Sequence, residues 1–211
     1  MKPNIDYTLY LVTDRKLMTS DSIEDCVRQA ILGGCTVVQL REKESTSYEF
    51  YETALRVREI TSDMGIPLII NDRADIAIAV DADGVHVGQK DLPYEVVRRI
   101  VGPDKLVGVS THTLEQARLA EKLGADYIGV GAMFATGTKS DATPAGIDML
   151  HLIRKELSIP MVAIGGINKK NVSLLADTGV DGIAVVSAVV SEHDITGAAR
   201  TLKAIFRGEK L

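Results

Sequence analysis

The chain has 211 residues, of which 45% are hydrophobic and 25% are charged, and its net charge is −5 at pH 7. These values fit one globular domain with a substantial core and argue against disorder. Because the net charge is negative and the basic residues are scattered, we expect no nucleic-acid partner. No apolar run reaches the roughly 18 residues of a membrane span, and the first residues lack a signal-peptide core. We therefore expect a cytoplasmic protein without a membrane partner.

Short runs rich in β-branched residues recur along the chain. They are continuous rather than alternating, which is typical of strands that are covered on both faces in a parallel sheet. The predicted strands are residues 7–12, 37–40, 68–70, 85–87, 106–109, 127–130, 161–164 and 182–186.

Helix-like segments fill the gaps between these runs. Residues 47–64 and 113–123 carry apolar side chains at near-helical spacing, and Gly65 and Gly124 follow as C-terminal caps. Only residues 73–81 are available after the third strand, so that helix must be short. Eight strand and helix units without a break in composition favour an α/β chain with a single (β/α)8 TIM barrel over residues 1–211. A doubly wound open sheet is the alternative.

In a TIM barrel the loops that follow the strands form the active face, so the functional residues are expected there. Asp72 and Asp91 follow neighbouring strands, and their carboxylates could share one hard cation. Mg²⁺ fits this pattern, because it keeps several waters and takes one or two protein carboxylates plus ligand phosphate. A helix cap, or for Asp72 a salt bridge with Arg73, is the alternative.

Two further segments suit phosphorylated ligands. Lys139 lies in residues 131–140, where hydroxyls, glycines and one ammonium group follow a strand. Gly165-Gly166 and Ser187 follow the last two strands, where backbone N–H groups can approach an anion at helix N-termini. The alternative for the glycine pair is an ordinary tight turn.

The segment Gln39-Leu-Arg-Glu-Lys43 ends the second strand, so Arg41 and Lys43 can converge on one anion. A salt-bridge network at the rim with Glu42 and Glu44 is the alternative. His86 and His112 stay open between acid–base and structural roles. Two anion sites, one with a cation, would face each other across the barrel mouth. This layout suits displacement of pyrophosphate from one substrate by a second phosphorylated substrate.

Several motifs together, in order along nearly the whole chain, resemble the thiamine-phosphate synthase family. They are Gln39-Leu-Arg-Glu-Lys43, Asn71-Asp-Arg-Ala-Asp75, Gly84-Val-His-Val-Gly-Gln-Lys-Asp91, Val109-Ser-Thr-His112, Phe134-Ala-Thr-Gly-Thr-Lys139 and Ile164-Gly-Gly-Ile167. The resemblance implies that 4-amino-5-hydroxymethyl-2-methylpyrimidine diphosphate is joined to 4-methyl-5-(2-phosphoethyl)thiazole, or to its carboxylated form, with release of pyrophosphate. It also implies that the C–O bond to pyrophosphate breaks first and that the thiazole nitrogen captures the resulting pyrimidinylmethyl cation.

The resemblance further implies a role for each matching residue. Asp72 and Asp91 would bind one Mg²⁺ per subunit. The pyrimidine diphosphate would be held by Gln39, Leu40, Arg41, Glu42, Lys43, Asn71, Ser110 and Lys139. The thiazole phosphate would be held by Thr136, Gly137, Thr138, Gly166, Val186 and Ser187. Catalysis would fall to Lys139, Arg41, Lys43 and Ser110.

One position departs from the family pattern, because Ala135 stands where many members have proline before the threonine. Two other functions stay open at this point. A related thiazole tautomerase would share the barrel and the thiazole-phosphate site. A non-catalytic sensor of sugar or thiazole phosphate on the same barrel would not need the two carboxylates and the lysine. Asp72, Asp91 and Lys139 favour the synthase over both. A homo-oligomer is compatible with the sequence.

Overall fold

The computed structural model describes residues 5–135 and 146–209, and its strands form a closed, fully parallel barrel in which β1 pairs with both β2 and β8. The strands are β1 Leu9–Val12, β2 Val37–Leu40, β3 Leu68–Asn71, β4 Gly84–Val87, β5 Leu106–Thr111, β6 Tyr127–Gly131, β7 Met161–Ile164 and β8 Gly182–Val185. The helices are α1 Ile23–Leu32, α2 Ser47–Asp63, α3 Ala74–Ala79, α4 Tyr94–Val101, α5 Leu114–Leu123, α6 Ile147–Glu156, α7 Ser187–Val190 and α8 Ile195–Phe206. A 3₁₀ helix, Val172–Leu175, follows β7.

The predicted TIM barrel is confirmed, and so is the short helix after the third strand. Three strands, β3, β5 and β6, extend beyond their predicted carboxyl ends. Asn71 continues β3 by pairing with His86, and Ser110 continues β5 by pairing with Gly129. Both polar residues are therefore fixed by a strand ladder rather than carried on a loop. The assignment of all 211 residues to one domain stays a prediction.

The barrel separates two layers of buried side chains. The larger layer lies between the sheet and the helices and includes Leu9, Leu40, Phe50 and Leu150. The smaller layer fills the barrel interior, and almost all of its members come from the strands. Its residues are Tyr7, Tyr10, Val12, Val37, Ile69, Leu106, Tyr127, Val162 and Ala184.

Near the amino-terminal end of each odd-numbered strand, a backbone N–H donates to a side-chain oxygen. Thr36 Oγ1 accepts from Leu9 N at 3.1 Å, directly before β2 begins. Aspartates occupy the matching position before β4, β6 and β8. Asp83 Oδ2 accepts from Leu68 N, Asp126 Oδ2 from Val107 N and Asp181 Oδ2 from Met161 N, each at 2.8 Å. We call these the four strand-start acceptors. They satisfy N–H groups that would otherwise end the ladder unpaired.

Each of the three aspartates also binds an arginine: Arg58 lies 2.7 Å from Asp83, Arg98 2.5 Å from Asp126 and Arg154 2.6 Å from Asp181. These pairs are partly buried and lie at the end of the barrel opposite the strand carboxyl ends. In the residues that the structure describes, no helix is long and apolar enough to cross a membrane.

Candidate active site

A pocket opens at the carboxyl ends of the strands, where a TIM barrel carries its active site. Its walls bring together residues from the second, third and fifth strands with residues from the last two. The predicted site residues that line it are Gln39, Arg41, Lys43, Asn71, Asp72, Ser110, Gly166, Val186 and Ser187. The structure therefore gathers residues that lie as far apart in the sequence as Gln39 on β2 and Ser187 after β8.

Successive side chains of strand β2 point to opposite faces of the sheet, and this decides which of them face the pocket. Gln39 and Arg41 line the pocket, whereas Leu40, between them, is fully buried in the layer against the helices. The Glu42 carboxylate forms two 3.1 Å hydrogen bonds with Arg15 and is also absent from the lining. Neither Leu40 nor Glu42 thus presents its side chain to the pocket, and Glu42 belongs to the salt-bridge network at the rim.

The loop after β1 positions Arg41. Its backbone N–H donates to Thr13 Oγ1 at 2.9 Å, and its guanidinium Nη1 donates to Asp14 Oδ2 at 2.8 Å. Thr13 in turn donates its backbone N–H to the Gln39 carbonyl at 3.0 Å. The Arg41 side chain is about four-fifths buried, so a charge-assisted bond holds it at the mouth of the pocket.

Asp72 and Asp91 lie next to each other at the ends of β3 and β4. Asp72 has a left-handed backbone with φ 64°, and its N–H donates to the His86 carbonyl at 2.8 Å. Asp91 Oδ2 accepts from Gly88 N at 2.7 Å. Burial raises the pKa of Asp91, and the hydrogen bond and like charge of Asp72 raise it further. Two adjacent carboxylates that repel each other are a suitable oxygen donor set for a divalent cation.

Lys43 partly compensates this negative charge, because its Nζ lies 2.5 Å from Asp72 Oδ2. Within residues 5–135 and 146–209, no group of three or more His, Cys, Asp or Glu side chains is arranged to hold a metal. The described part of the protein thus offers two carboxylates. A hexacoordinate cation would take its other ligands from water and substrate, which fits Mg²⁺ better than Ca²⁺.

The opposite wall is built from glycines after β7 and from the start of α7. Gly165 and Gly166 have φ values of 99° and 68°, which favour glycine over other residues. A Cβ on Gly166 would lie 2.6 Å from the Ala135 carbonyl oxygen. Asn168 and Asn171 both donate to the Gly166 carbonyl at 3.0 Å and hold the turn. This wall therefore presents backbone and small side chains to the pocket.

The four predicted residues Thr136, Gly137, Thr138 and Lys139 lie outside the described residues. The described chain leads toward them from Gly131 and Ala132, which line the pocket, and reaches Ala135 beside Gly166. Their assignments stay predictions.

A hydrogen-bonded group forms the floor of the pocket, and it joins Gln39, His86 and Ser110 through two tyrosines that the sequence analysis did not identify. Gln39 Nε2 donates to Tyr10 Oη at 2.8 Å, and Tyr10 Oη lies 2.7 Å from Tyr127 Oη. His86 joins Tyr127 to Ser110, with distances of 3.0 Å from Nδ1 to Oη and 2.9 Å from Nε2 to Oγ. Burial raises the pKa of Tyr10 and of Tyr127 well above its usual range, so both phenols stay neutral.

Glycines make room for this group. Gly108 on β5 pairs with Tyr127 on β6, and a Cβ on Gly108 would lie 2.1 Å from Cζ of Tyr127. The two tyrosines belong to runs that the sequence marks only as buried strands, and the glycine opposite Tyr127 is the signal that points to an inward ring. His112 lies higher on the wall, where its Nδ1 is 2.5 Å from the Gly131 carbonyl oxygen.

Known proteins resemble this chain over nearly its whole length. The family model described as thiamine monophosphate synthase matches residues 9–189. A thiamine-phosphate synthase from Clostridium beijerinckii is 57% identical over 203 residues, with 96% of this chain and 97% of that protein covered. One from Ruminiclostridium cellulolyticum is 58% identical over 206 residues, with 98% of each covered.

A solved structure shows the same relationship. The thiamine phosphate pyrophosphorylase from Pyrococcus furiosus superimposes with a TM-score of 0.90 and 42% sequence identity, and 96% of each chain is covered. The fold, the position of the pocket and these relatives lead to the same assignment: the chain belongs to the thiamine monophosphate synthase family.

Proposed function

We propose that this chain joins 4-amino-5-hydroxymethyl-2-methylpyrimidine diphosphate to 4-methyl-5-(2-phosphoethyl)thiazole and releases thiamine phosphate and pyrophosphate. One observation carries the proposal beyond family membership. A single pocket has Gln39 and Ser110 on its floor, two cations at its mouth and the Gly166 turn on its opposite wall. It thus presents polar side chains to a ring, cations to a diphosphate and a glycine turn to a second phosphorylated molecule.

The diphosphate end is proposed to lie against Arg41, Lys43 and Asn71. Both cations have carboxylate partners, Asp14 for Arg41 and Asp72 for Lys43. A diphosphate that enters between them would meet guanidinium and ammonium groups already held at the mouth. These groups stabilise the charge that develops on the leaving pyrophosphate as the C–O bond lengthens. Lys139 is proposed to act on the same group.

Asp72 and Asp91 are the proposed ligands of one Mg²⁺ per subunit, which when bound would neutralise part of the diphosphate charge. The close approach of their carboxylates supports this assignment, since their mutual repulsion is relieved by a cation. Asp91 remains oriented by Gly88 N, and Asp72 by its left-handed backbone at the end of β3.

The thiazole phosphate is proposed to bind Gly166, Val186 and Ser187, together with Thr136, Gly137 and Thr138. The left-handed Gly166 turn supports the first of these, because its backbone approaches the pocket without a side chain. With both substrates bound, the bonding electron pair leaves with pyrophosphate. The lone pair of the thiazole nitrogen then forms the new C–N bond to the pyrimidinylmethyl carbon. The protein contributes alignment of the two rings and stabilisation of charge.

The test is to incubate the purified protein with both substrates and Mg²⁺ and to measure thiamine phosphate and pyrophosphate. An equal amount of each product is expected, and EDTA should stop the reaction. Product formation that is insensitive to EDTA would contradict the metal assignment. Proton exchange on the thiazole substrate without coupling would indicate a tautomerase. The cytoplasmic location and any homo-oligomer stay predictions.

A further inference from the structure

The hydrogen bonds on the pocket floor form one continuous chain from β2 to β5. It starts at Gln39, passes through Tyr10 and Tyr127, and ends through His86 at Ser110. All five side chains line the pocket. In the described residues no buried side-chain nitrogen or oxygen is left without a partner, so the donors and acceptors of these links must match one another along the whole hydrogen-bond chain.

The first link sets the direction of the others. An amide nitrogen can only donate, so the Tyr10 oxygen accepts from Gln39 Nε2. The buried Tyr10 hydroxyl has one hydrogen and already accepts from Gln39, so we assign this hydrogen to Tyr127 Oη, which lies 2.7 Å away. Tyr127 then gives its own hydrogen to His86 Nδ1 at 3.0 Å. This nitrogen is therefore the acceptor of the imidazole.

The direction carries through to Ser110. A neutral imidazole that accepts at Nδ1 carries its hydrogen on Nε2, and Nε2 lies 2.9 Å from Ser110 Oγ. The serine oxygen accepts this hydrogen, which leaves the hydrogen of Ser110 available as a donor. At the other end, Gln39 keeps its carbonyl oxygen and its second amide hydrogen. The two ends of this hydrogen-bond chain thus offer a ligand different groups: Ser110 offers a donor, and Gln39 offers an acceptor and a donor.

We propose that Tyr10, Tyr127 and His86 are positioning residues that lock the side-chain amide of Gln39 in one orientation and Ser110 as a donor, and so select an aminopyrimidine. This inference rests on the proposed function. An amide that offers a carbonyl oxygen and an N–H side by side matches a ring that has an amino group next to a ring nitrogen. A ring with an oxo group beside a protonated nitrogen needs the flipped amide. Flipping would set the amide oxygen against Tyr10 and require every hydrogen in the chain to reverse.

The first measurement is the tautomer of His86 in the wild-type protein. Two-bond ¹H–¹⁵N correlation spectra of histidine-labelled protein report which nitrogen carries hydrogen, and the His86→Gln variant identifies the signals. The expected result is a neutral imidazole with hydrogen on Nε2. Hydrogen on Nδ1 would reverse the chain and overturn the proposal. This measurement needs no substrate, so it is independent of turnover.

The second measurement compares substrate selection in Tyr10→Phe, Tyr127→Phe and the control Tyr7→Phe. Tyr7 also packs on the Tyr127 ring, with centroids 4.9 Å apart, but it is not a link of the chain. Loss of one link should raise KM for the pyrimidine diphosphate about 10-fold, with KM for the thiazole phosphate unchanged. The preference for the 4-amino over the 4-oxo diphosphate, measured as the ratio of inhibition or Michaelis constants, should fall by a similar factor.

The control variant should keep both the wild-type KM and the wild-type preference. Equal preference in Tyr127→Phe and wild type would overturn the positioning role even if activity falls. Failure of the wild-type protein to form thiamine phosphate would instead contradict the proposed function, and the His86 tautomer would still decide the direction of the chain.

Discussion

The ammonium group of Lys43 lies 2.5 Å from the carboxylate of Asp72, across the ends of neighbouring strands β2 and β3. This pair joins the cation that we assign to the diphosphate with one of the two carboxylates that we assign to Mg²⁺. Half of the Lys43 side chain is exposed, so the ion pair contributes little to folding. Its value lies in keeping both groups at the position where a metal-bound diphosphate would enter.

Asp72→Asn should therefore reduce activity rather than stability. We expect kcat/KM to fall about 100-fold and the Mg²⁺ concentration for half-maximal rate to rise, because the amide keeps the shape but loses the charge. Asp75→Asn is the matched control. Asp75 pairs with Arg73 on the surface and does not line the pocket, so its variant should keep the wild-type rate. Rates of coupling over a Mg²⁺ titration give the answer, and identical titrations for Asp72→Asn and wild type would contradict the metal site.

Lys139→Ala tests the lysine that the sequence singles out. If its ammonium stabilises the leaving pyrophosphate, kcat and kcat/KM should both fall by about 100-fold or more. Lys16→Ala removes an equally long side chain from an exposed ion pair with Glu44 and should have no such effect. Single-turnover release of pyrophosphate measures the chemical step directly. A rise in KM alone, with kcat unchanged, would show binding without a catalytic role.

Gly108→Ala should displace the Tyr127 ring, which is part of the pocket floor. The new methyl group would lie 2.1 Å from Cζ of Tyr127, so the ring must move, at a cost of about 2 kcal/mol or more in the free energy of unfolding. Gly65→Ala is the comparison, because no heavy atom lies within 4 Å of its Cβ and only its φ of 66° opposes alanine. That variant should lose about 1 kcal/mol and keep full activity. Urea denaturation and coupling rates separate the two effects.

Asp126→Ala removes one strand-start acceptor and should cost about 3 kcal/mol of unfolding free energy, since it leaves Val107 N and the partly buried Arg98 without this partner. The exposed Asp75→Ala should cost less than about 0.5 kcal/mol. Urea titration at constant Mg²⁺ measures both. Because Asp126 lies at the far end of the barrel from the pocket, the folded variant should keep its KM values. A large change in KM with normal stability would contradict this division of roles.

The sequence predicted the barrel well because buried parallel strands appear as apolar runs, and glycines such as Gly124 mark the ends of helices. It also predicted that residues after the strands would meet, as Arg41, Lys43 and Asp72 do. Ser110 was expected in a loop and lies in β5 instead, since its ladder with Gly129 continues past the apolar run.

Other parts of the site depend on contacts that no local pattern contains. Tyr10 and Tyr127 are 117 positions apart, and only barrel closure brings their hydroxyl groups together. Leu40, by contrast, could have been set apart from Gln39, because adjacent residues of a strand point to opposite faces. Glu42 differs again, since its partner Arg15 comes from the loop after β1 and cannot be identified by spacing alone.

The four strand-start acceptors divide the barrel into quarters. Each acceptor stands just before an even-numbered strand and binds the odd-numbered strand that precedes it, so every bond is contained within one pair of successive strands. New chain ends placed before β3, β5 or β7 would keep all four bonds inside continuous segments. If the new ends were placed before an even-numbered strand, the donor and the acceptor of one of these hydrogen bonds would lie at opposite ends of the permuted chain. Circular permutants of this barrel therefore have natural starting points, and these are the odd-numbered strands.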